Sequence, residues 1–440
     1  MKNYNLPAGY SLLQSFARTY KQVKDPVGAM EESMAKFNGT YAVNLGAKRL
    51  IATQEPGFIE HVLKTNHKNY FKSAILTEQL GRFLGKGLLT SNGEYWLKQR
   101  RLIQPGFHPE KIHALYSIIK KTVDQFLRAF PTGDTVDVYP WMNTLAFEIV
   151  INTLFNVKVP PDTRKELSSF ITETQDFVIK DIRQPHKSWW LSISGEVARN
   201  LRKADGARKI IRSIVQTRKN SNQKFNDLLD MLFDARYEDT GLPMEESQVI
   251  DEILILLIAG HETTANALSW SLYLLANHPR ELEALRQTTR DLTVDETVSN
   301  DHLNAVIKES MRLYPPAWIS DRVALQDDAY LQYTFPKDTI VILFYYGLHR
   351  NGLYWEKPHD FMPERFMKDK AKDKPKAYYP FGAGPRLCIG NNFAMAEMTI
   401  FLQQIVKEFD ILPTQVSPKL KPLITLRPDQ VILGIKHRRS

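Results

Sequence analysis

The chain has 440 residues, 43% hydrophobic and 24% charged, the balance of a folded globular protein and not of a disordered or fibrous one. Its net charge of +9 admits nucleic acid, an anionic membrane or an acidic protein as partner, but no helix-turn-helix, zinc finger or basic-aromatic stripe supports the first. A single cysteine excludes any disulfide within the chain.

The first residues, MKNYNLPAGYSLLQSFARTYKQVKDP, lack the apolar core of a signal peptide. No stretch reaches the roughly 18 apolar residues of a membrane span, so a soluble, cytoplasmic protein without a stable membrane anchor is expected. Residues 40–53, TYAVNLGAKRLIAT, alternate apolar and polar and predict a hairpin with Gly46 near its turn. From about 57 to 315 helical periodicity dominates, broken at PGFHPE, PTGD, VPPD and DTGLP. Residues 322–346 and the tail from Pro422 to Ile435 read as strands. With no repeat and no linker, the pattern predicts one domain over 1–440, mainly α with a small β-rich lobe. The helical mass is 57–315 plus 388–410; the β-rich pieces are 38–56, 322–346 and 420–436.

Within the helical region, Trp96 and Arg100 in WLKQR stand at i, i+4, which alone reads as cation–π packing on a surface helix. A longer helix is expected from Asp251 to His278, uninterrupted until Pro279 and roughly 42 Å in length. Its first half is apolar on every face, which marks a buried helix. Yet Gly260, Glu262, Thr263 and Thr264 occupy its middle, and a glycine beside two threonines favours a kink or bulge. His261-Glu262 begins a His-Glu-x-x-His zinc motif, but the residue four after His261 is Ala265, which cannot ligate zinc. A structural helix with back-bonding threonines is the plain alternative. Further on, Glu309 and Arg312 in ESMR form an i, i+3 pair, ordinarily a solvated helix face.

The one cysteine, Cys388, lies in YYPFGAGPRLCIGNNFAMAEM. A lone cysteine is often a buried structural thiol. Here Gly384, Pro385 and Gly390 fit a tight loop, a helix-forming run follows at once, and Arg386 adds positive charge, a setting that stabilises a thiolate. A nucleophile would need a histidine base that sequence alone cannot place. Zinc would need further Cys or His ligands at short spacing, and there are none. A metal whose other ligands come from a macrocycle fits better, and that is haem.

The decapeptide FGAGPRLCIG resembles the haem-binding signature F-x-x-G-x-R-x-C-x-G of the cytochrome P450 family, matched at Phe381, Gly384, Arg386, Cys388 and Gly390. AGHETT at 259–264 is similar to the family's oxygen-activation segment, and ESMR followed by FMPERF to its Glu-x-x-Arg helix and Pro-Glu-Arg-Phe partner. The resemblance covers nearly the whole chain. It implies the triangular-prism fold with a long central helix over a haem b (protoporphyrin IX iron), and Cys388 as the proximal iron ligand. It implies that Thr263 hydrogen-bonds dioxygen and that Glu262 helps deliver protons. Glu309, Arg312 and Arg365 would form a structural charge network behind the cysteine loop. Trp96, Arg100, Arg386 and Arg322 would bind haem propionates, with Lys72 a further candidate. Leu89, Ala259, Ala317, Trp318 and Thr425 would line the substrate pocket. All five positions are in apolar surroundings, which predicts a hydrophobic substrate such as a fatty acid, terpene or steroid.

The implied activity is a monooxygenase, inserting one atom of O2 into a C–H or C=C bond with electrons from NAD(P)H. The chain resembles the fatty-acid-hydroxylating, eukaryote-like bacterial branch more than the camphor type. A monomer served by a separate ferredoxin or flavodoxin and its reductase is expected, docking on the lysines of MKDKAKDKPK (367–376) with Lys98 and Arg101. Trp189-Trp190 falls where a mobile lid or a membrane contact is expected. Two rivals stand beside this reading: a peroxide-driven peroxygenase, disfavoured by the intact Glu262-Thr263 pair, and a non-catalytic haem-thiolate sensor.

Overall fold

Strand Thr40–Leu45 pairs antiparallel with Lys48–Thr53, and Gly46 at φ +79° sits in the connection, as the alternation over 40–53 predicts. The computed structural model describes residues 3–46, 48–156, 159–183, 188–221, 223–368 and 377–438. In it the hairpin forms the middle of a six-stranded sheet, in the order Gly9–Tyr10, Thr40–Leu45, Lys48–Thr53, Ile340–Leu343, Ser320–Ala324 and Tyr70–Phe71. Ser320–Ala324 runs antiparallel to Ile340–Leu343 with Arg322 opposite Val341. The chain divides into two compact units, and this sheet belongs to the first, made of residues 1–73, 308–388 and 425–427.

Five helices matter to the site: α1 (Gly93–Ile103), α2 (Tyr139–Phe155), α3 (Glu246–Asn277), α4 (Asp301–Leu313) and α5 (Asn391–Glu408). All of α1, α2, α3 and α5 lie in the second unit, residues 74–307, 389–424 and 428–440. α3 starts five residues before the predicted Asp251, and its 32 residues span about 48 Å. It ends where predicted, because Pro279 has no N–H to continue the ladder and opens the next helix instead.

No bulge interrupts α3 at Gly260; the α-helix runs unbroken through Glu246–Asn277. The glycine serves packing. A Cβ there would stand 2.9 Å from Val150 Cγ2 on α2, closer than carbon atoms tolerate, so Gly260 lets two buried helices approach.

The C-terminal strand Ile432–His437 lies between Phe409–Leu412 and Gly133–Asp137 in a three-stranded sheet of the second unit. It therefore does not extend the hairpin sheet, with which the sequence grouped residues 420–436. The pairing follows burial: Ile411 faces Ile435 across the ladder, and both are buried with Phe409 and Leu433. No helix among the described residues is long and apolar enough to cross a membrane.

Candidate active site

The cysteine loop, in the first unit, is shaped by its own backbone. Gly382 N–H donates to the Tyr379 carbonyl at 3.1 Å, Leu387 N–H to that of Gly384 at 3.0 Å, and Cys388 N–H to that of Phe381 at 3.0 Å. The turn depends on Gly384, which has φ +68° and approaches so closely that a Cβ would meet the Leu63 carbonyl oxygen at 2.0 Å. Phe381 and Arg386 are half-buried, whereas Cys388 at the loop tip is exposed and in no disulfide. Gly390 caps α5, so the cysteine stands just ahead of a helix N-terminus.

Behind the loop, Glu309 and Arg312 on the last turns of α4 are both fully buried. Arg312 grips Glu309 with two parallel bonds, Nε–Oε2 at 2.7 Å and Nη2–Oε1 at 2.8 Å. Arg365 Nε stands 3.4 Å from Glu309 Oε1, which also accepts the Met362 N–H at 2.9 Å. Arg312 spends its remaining donors on the carbonyls of His349, Pro358 and Asp360 at 2.7–2.9 Å. Its guanidinium also lies over the Trp355 ring, 5.1 Å from the centroid.

This network reaches the loop through a residue that the sequence did not single out. His349 is fully buried, and its Nε2 accepts the Tyr379 N–H at 2.9 Å. Accepting that bond requires a neutral ring, and burial, reinforced by the charges of Arg312 and Arg350, holds the histidine down to about 3. Tyr378, next to it, donates its hydroxyl to the Lys308 carbonyl at 2.8 Å.

On the same unit, burial and then the charge of Arg322 pull the Arg386 guanidinium down to about 10. Two cations within reach of one another are a disfavoured arrangement that an anion would relieve. Arg322 is mostly buried on its strand and donates to the Asp321 carbonyl at 2.6 Å; Lys72 is half-buried. Trp318 and Thr425 are buried, and Ala317 is half-buried. The Trp318 ring meets Phe344 edge-on at 6.2 Å.

In the second unit, α3 carries Glu262 buried and Thr263 half-buried. The Thr263 hydroxyl donates to the Ala259 carbonyl at 2.6 Å. Leu256, Ala259 and Thr263 form a stripe of helical spacing, accessible in the middle of a mostly buried helix. His261 points elsewhere: it is buried, edge-on to Phe147 of α2 at 5.7 Å, and burial pulls it down to about 4. On α1, Trp96 is buried and Arg100 half-buried, its Nε donating to Gln104 at 3.0 Å; Leu89 is half-buried.

A family model described as Cytochrome P450 matches residues 9–435. The chain belongs to the cytochrome P450 family. It is 29% identical over 384 residues to cyclooctat-9-en-7-ol 5-monooxygenase of Streptomyces melanosporofaciens, covering 84% of this chain and 82% of that protein. It is 30% identical over 410 residues to cytochrome P450 4F6 of Rattus norvegicus, covering 85% and 76%. Its fold matches the haem domain of cytochrome P450DA with a TM-score of 0.87 at 21% identity, over 100% of this chain and 99% of that one. The protein is thus a P450 monooxygenase, mainly α with small β sheets.

Lys98 bonds Asp239 at 2.6 Å and Arg101 lies 3.7 Å from Glu238, so two of the three cations of α1 stand beside acidic residues of a neighbouring turn. The lysines at 370, 372 and 374 lie outside the described residues. Trp189 and Trp190 are exposed, 63% and 53%, and stack edge-on on the short helix Ser188–Ile193.

Proposed function

We propose that this P450 holds haem b through the Cys388 thiolate and oxidises a hydrophobic substrate with O2. The donor set carries the reading. Among the described residues no three His, Cys, Asp or Glu side chains gather into a metal site, so an iron at Cys388 must bring its other ligands with it. An exposed thiol at the tip of a braced loop, ahead of a helix N-terminus, suits that role.

Arg386 and Arg322, with Trp96, Arg100 and Lys72, are the residues that would hold the haem propionates, whose negative charge would offset the burial of the Arg386 guanidinium beside Arg322. Bound there, haem supplies the activation of O2, with electron density donated by the thiolate. The chain's own contribution is proton management. Thr263 Oγ1 keeps its hydrogen on the Ala259 carbonyl, leaving its lone pairs to accept a hydrogen bond on the exposed side of α3. Turning about χ1 frees that hydrogen for donation, and Glu262 on the preceding position replaces it.

Electrons from NAD(P)H arrive through an acidic ferredoxin or flavodoxin, which the net charge of +9 favours. The stripe of Leu256 and Ala259 supports an apolar substrate, as do relatives named for cyclooctat-9-en-7-ol and cyclooctatin. Two measurements test this. The reduced carbonyl complex should show the red-shifted Soret band of a thiolate ligand and lose it in Cys388→His. Ferric protein titrated with fatty acids, terpenes and steroids should pass from low to high spin with one of these classes. A normal thiolate spectrum with no spin shift in any class would overturn the substrate assignment alone.

A further inference from the structure

Two acidic residues of α3 are spent on a loop instead of on chemistry. Asp251 and Glu252 lie near the N-terminal end of α3, and Glu252 begins the stripe that continues through Leu256, Ala259 and Thr263. Glu252 is 1% exposed, a burial that a carboxylate tolerates only with partners. Its Oε2 accepts the Leu88 N–H at 3.2 Å and its Oε1 the Gln248 amide at 3.0 Å. Asp251 Oδ2 accepts the Lys86 N–H at 2.9 Å, and its other oxygen bonds Arg208 at 3.1 Å. Arg208 in turn holds the Phe83 carbonyl at 2.9 Å. Gln248 and Tyr95 both donate to the Lys86 carbonyl, at 2.8 and 3.2 Å. Within the loop, Thr90 bonds Gly85 and Ser91 bonds Gly87.

The glycines complete the fit. Gly85 has φ +82°, and a Cβ on it would overlap the Asp251 carboxylate at 2.0 Å. A Cβ on Gly87 would stand 2.6 Å from Ile255 and 2.7 Å from the Glu252 carboxyl carbon. The loop is therefore fixed to α3 at the backbone N–H groups of Lys86 and Leu88, two residues apart, by carboxyl acceptors, with no room for side chains between.

We propose that Asp251 and Glu252 are positioning residues that lock residues 85–88 against α3, so that Leu88 and Leu89 stand as a preset wall at one end of the Thr263 stripe and set which ligands the site accepts. A wall ordered in advance spares the ligand the entropy of ordering it. The consequence for ligand choice rests on the haem reading above; the clamp itself does not.

The test uses the full-length haem protein, wild type against Glu252→Ala, Glu252→Gln and Asp251→Ala. Amide exchange over 84–91 reads the clamp, and optical titration with imidazole and with 4-phenylimidazole reads the site. In Glu252→Ala the 84–91 amides should exchange at least about tenfold faster. The Kd for 4-phenylimidazole should rise about tenfold while that for imidazole, too small to reach the wall, stays within about twofold. Glu252→Gln, which keeps an acceptor for Leu88 N–H, should recover most of both. Unchanged exchange in Glu252→Ala overturns the proposal, and so does faster exchange with an unchanged ratio of the two azole affinities. Should Glu252→Ala not fold, a Lys86 amide that exchanges at the wild-type rate in Asp251→Ala, which removes its acceptor, overturns it equally. An absent nitrogen-ligand shift with imidazole in wild type would instead defeat the haem reading, leaving exchange to judge the clamp.

Discussion

Two of the fully buried glutamates of this P450 are handled in opposite ways. Glu309, in the unit of the cysteine loop, receives Arg312 bidentately, Arg365 and a backbone N–H. Glu397, on α5 in the other unit, has no cation beside it among the described residues. Burial raises it well above its ordinary 4.5; the nearby Thr264 hydroxyl offsets this only in part, and neither carboxyl oxygen is in a well-formed hydrogen bond. One is a charge held by charges and the other a carboxylic acid kept neutral. The first kind gives rigid geometry and is unforgiving of deletion, while the second costs stability whenever it must ionise.

The largest expected effect comes from breaking the paired site. Arg312→Ala leaves Glu309 buried without its main partner and releases the carbonyls of residues 349, 358 and 360, a loss of about 3–5 kcal/mol. The expected outcome is a sharp fall in melting temperature and a reduced carbonyl complex without the thiolate band. Normal haem spectra in a stably folded Arg312→Ala would show that the loop does not depend on this network.

Next is acid sensitivity, to which each unit contributes one buried histidine. His349 is held down to about 3 and His261 to about 4, against an ordinary 6.5. Below pH 6.5 the unfolded chain binds protons that the folded chain refuses, so stability is full above 6.5 and falls as pH drops toward 4. His349→Gln, which keeps an acceptor for the Tyr379 N–H, should flatten that slope in thermal melts between pH 7 and 4.5. An unchanged slope would mean that the titration arises elsewhere.

Much of the cysteine side was legible because its signals are local. Five fixed positions in ten residues mark the loop, and Glu309 with Arg312 sit one turn apart. What completes the network is not local: His349 is a single histidine whose partner, Tyr379, comes 30 residues later. Glu397 looked like an ordinary polar residue in a helix, since only the packing of α5 shows it buried. Gly260 was misread for the same reason, because the sequence cannot show that Val150 crosses at that point. Nor could the sequence show that Asp239 and Glu238 come beside Lys98 and Arg101. Spacing along one element survives in a sequence; a neighbour supplied by another element does not.

The unpaired glutamate gives a smaller effect of opposite sign. Above pH 4.5 the unfolded chain ionises Glu397 while the folded chain keeps its proton, so this group lowers stability as pH rises. Glu397→Gln removes that penalty without changing shape. Its melting temperature should exceed wild type at pH 8 and approach it near pH 4.5. A less stable Glu397→Gln at pH 8 would mean that the carboxylate is ionised and paired after all, and the contrast with Glu309 would collapse.

The smallest effect on stability falls on Thr263, and there the contrast is sharpest. Its hydroxyl is half-exposed and bonded to a helical carbonyl that the backbone already satisfies, so deleting it should cost at most about 1 kcal/mol. Thr263→Ala should therefore melt close to wild type and keep the thiolate spectrum, while product formed per O2 consumed falls severalfold. Arg312 is then a residue the fold cannot lose, and Thr263 one the fold barely notices. Should Thr263→Ala couple oxygen to product as wild type does, proton delivery would have to pass through Glu262 by a route that bypasses this hydroxyl.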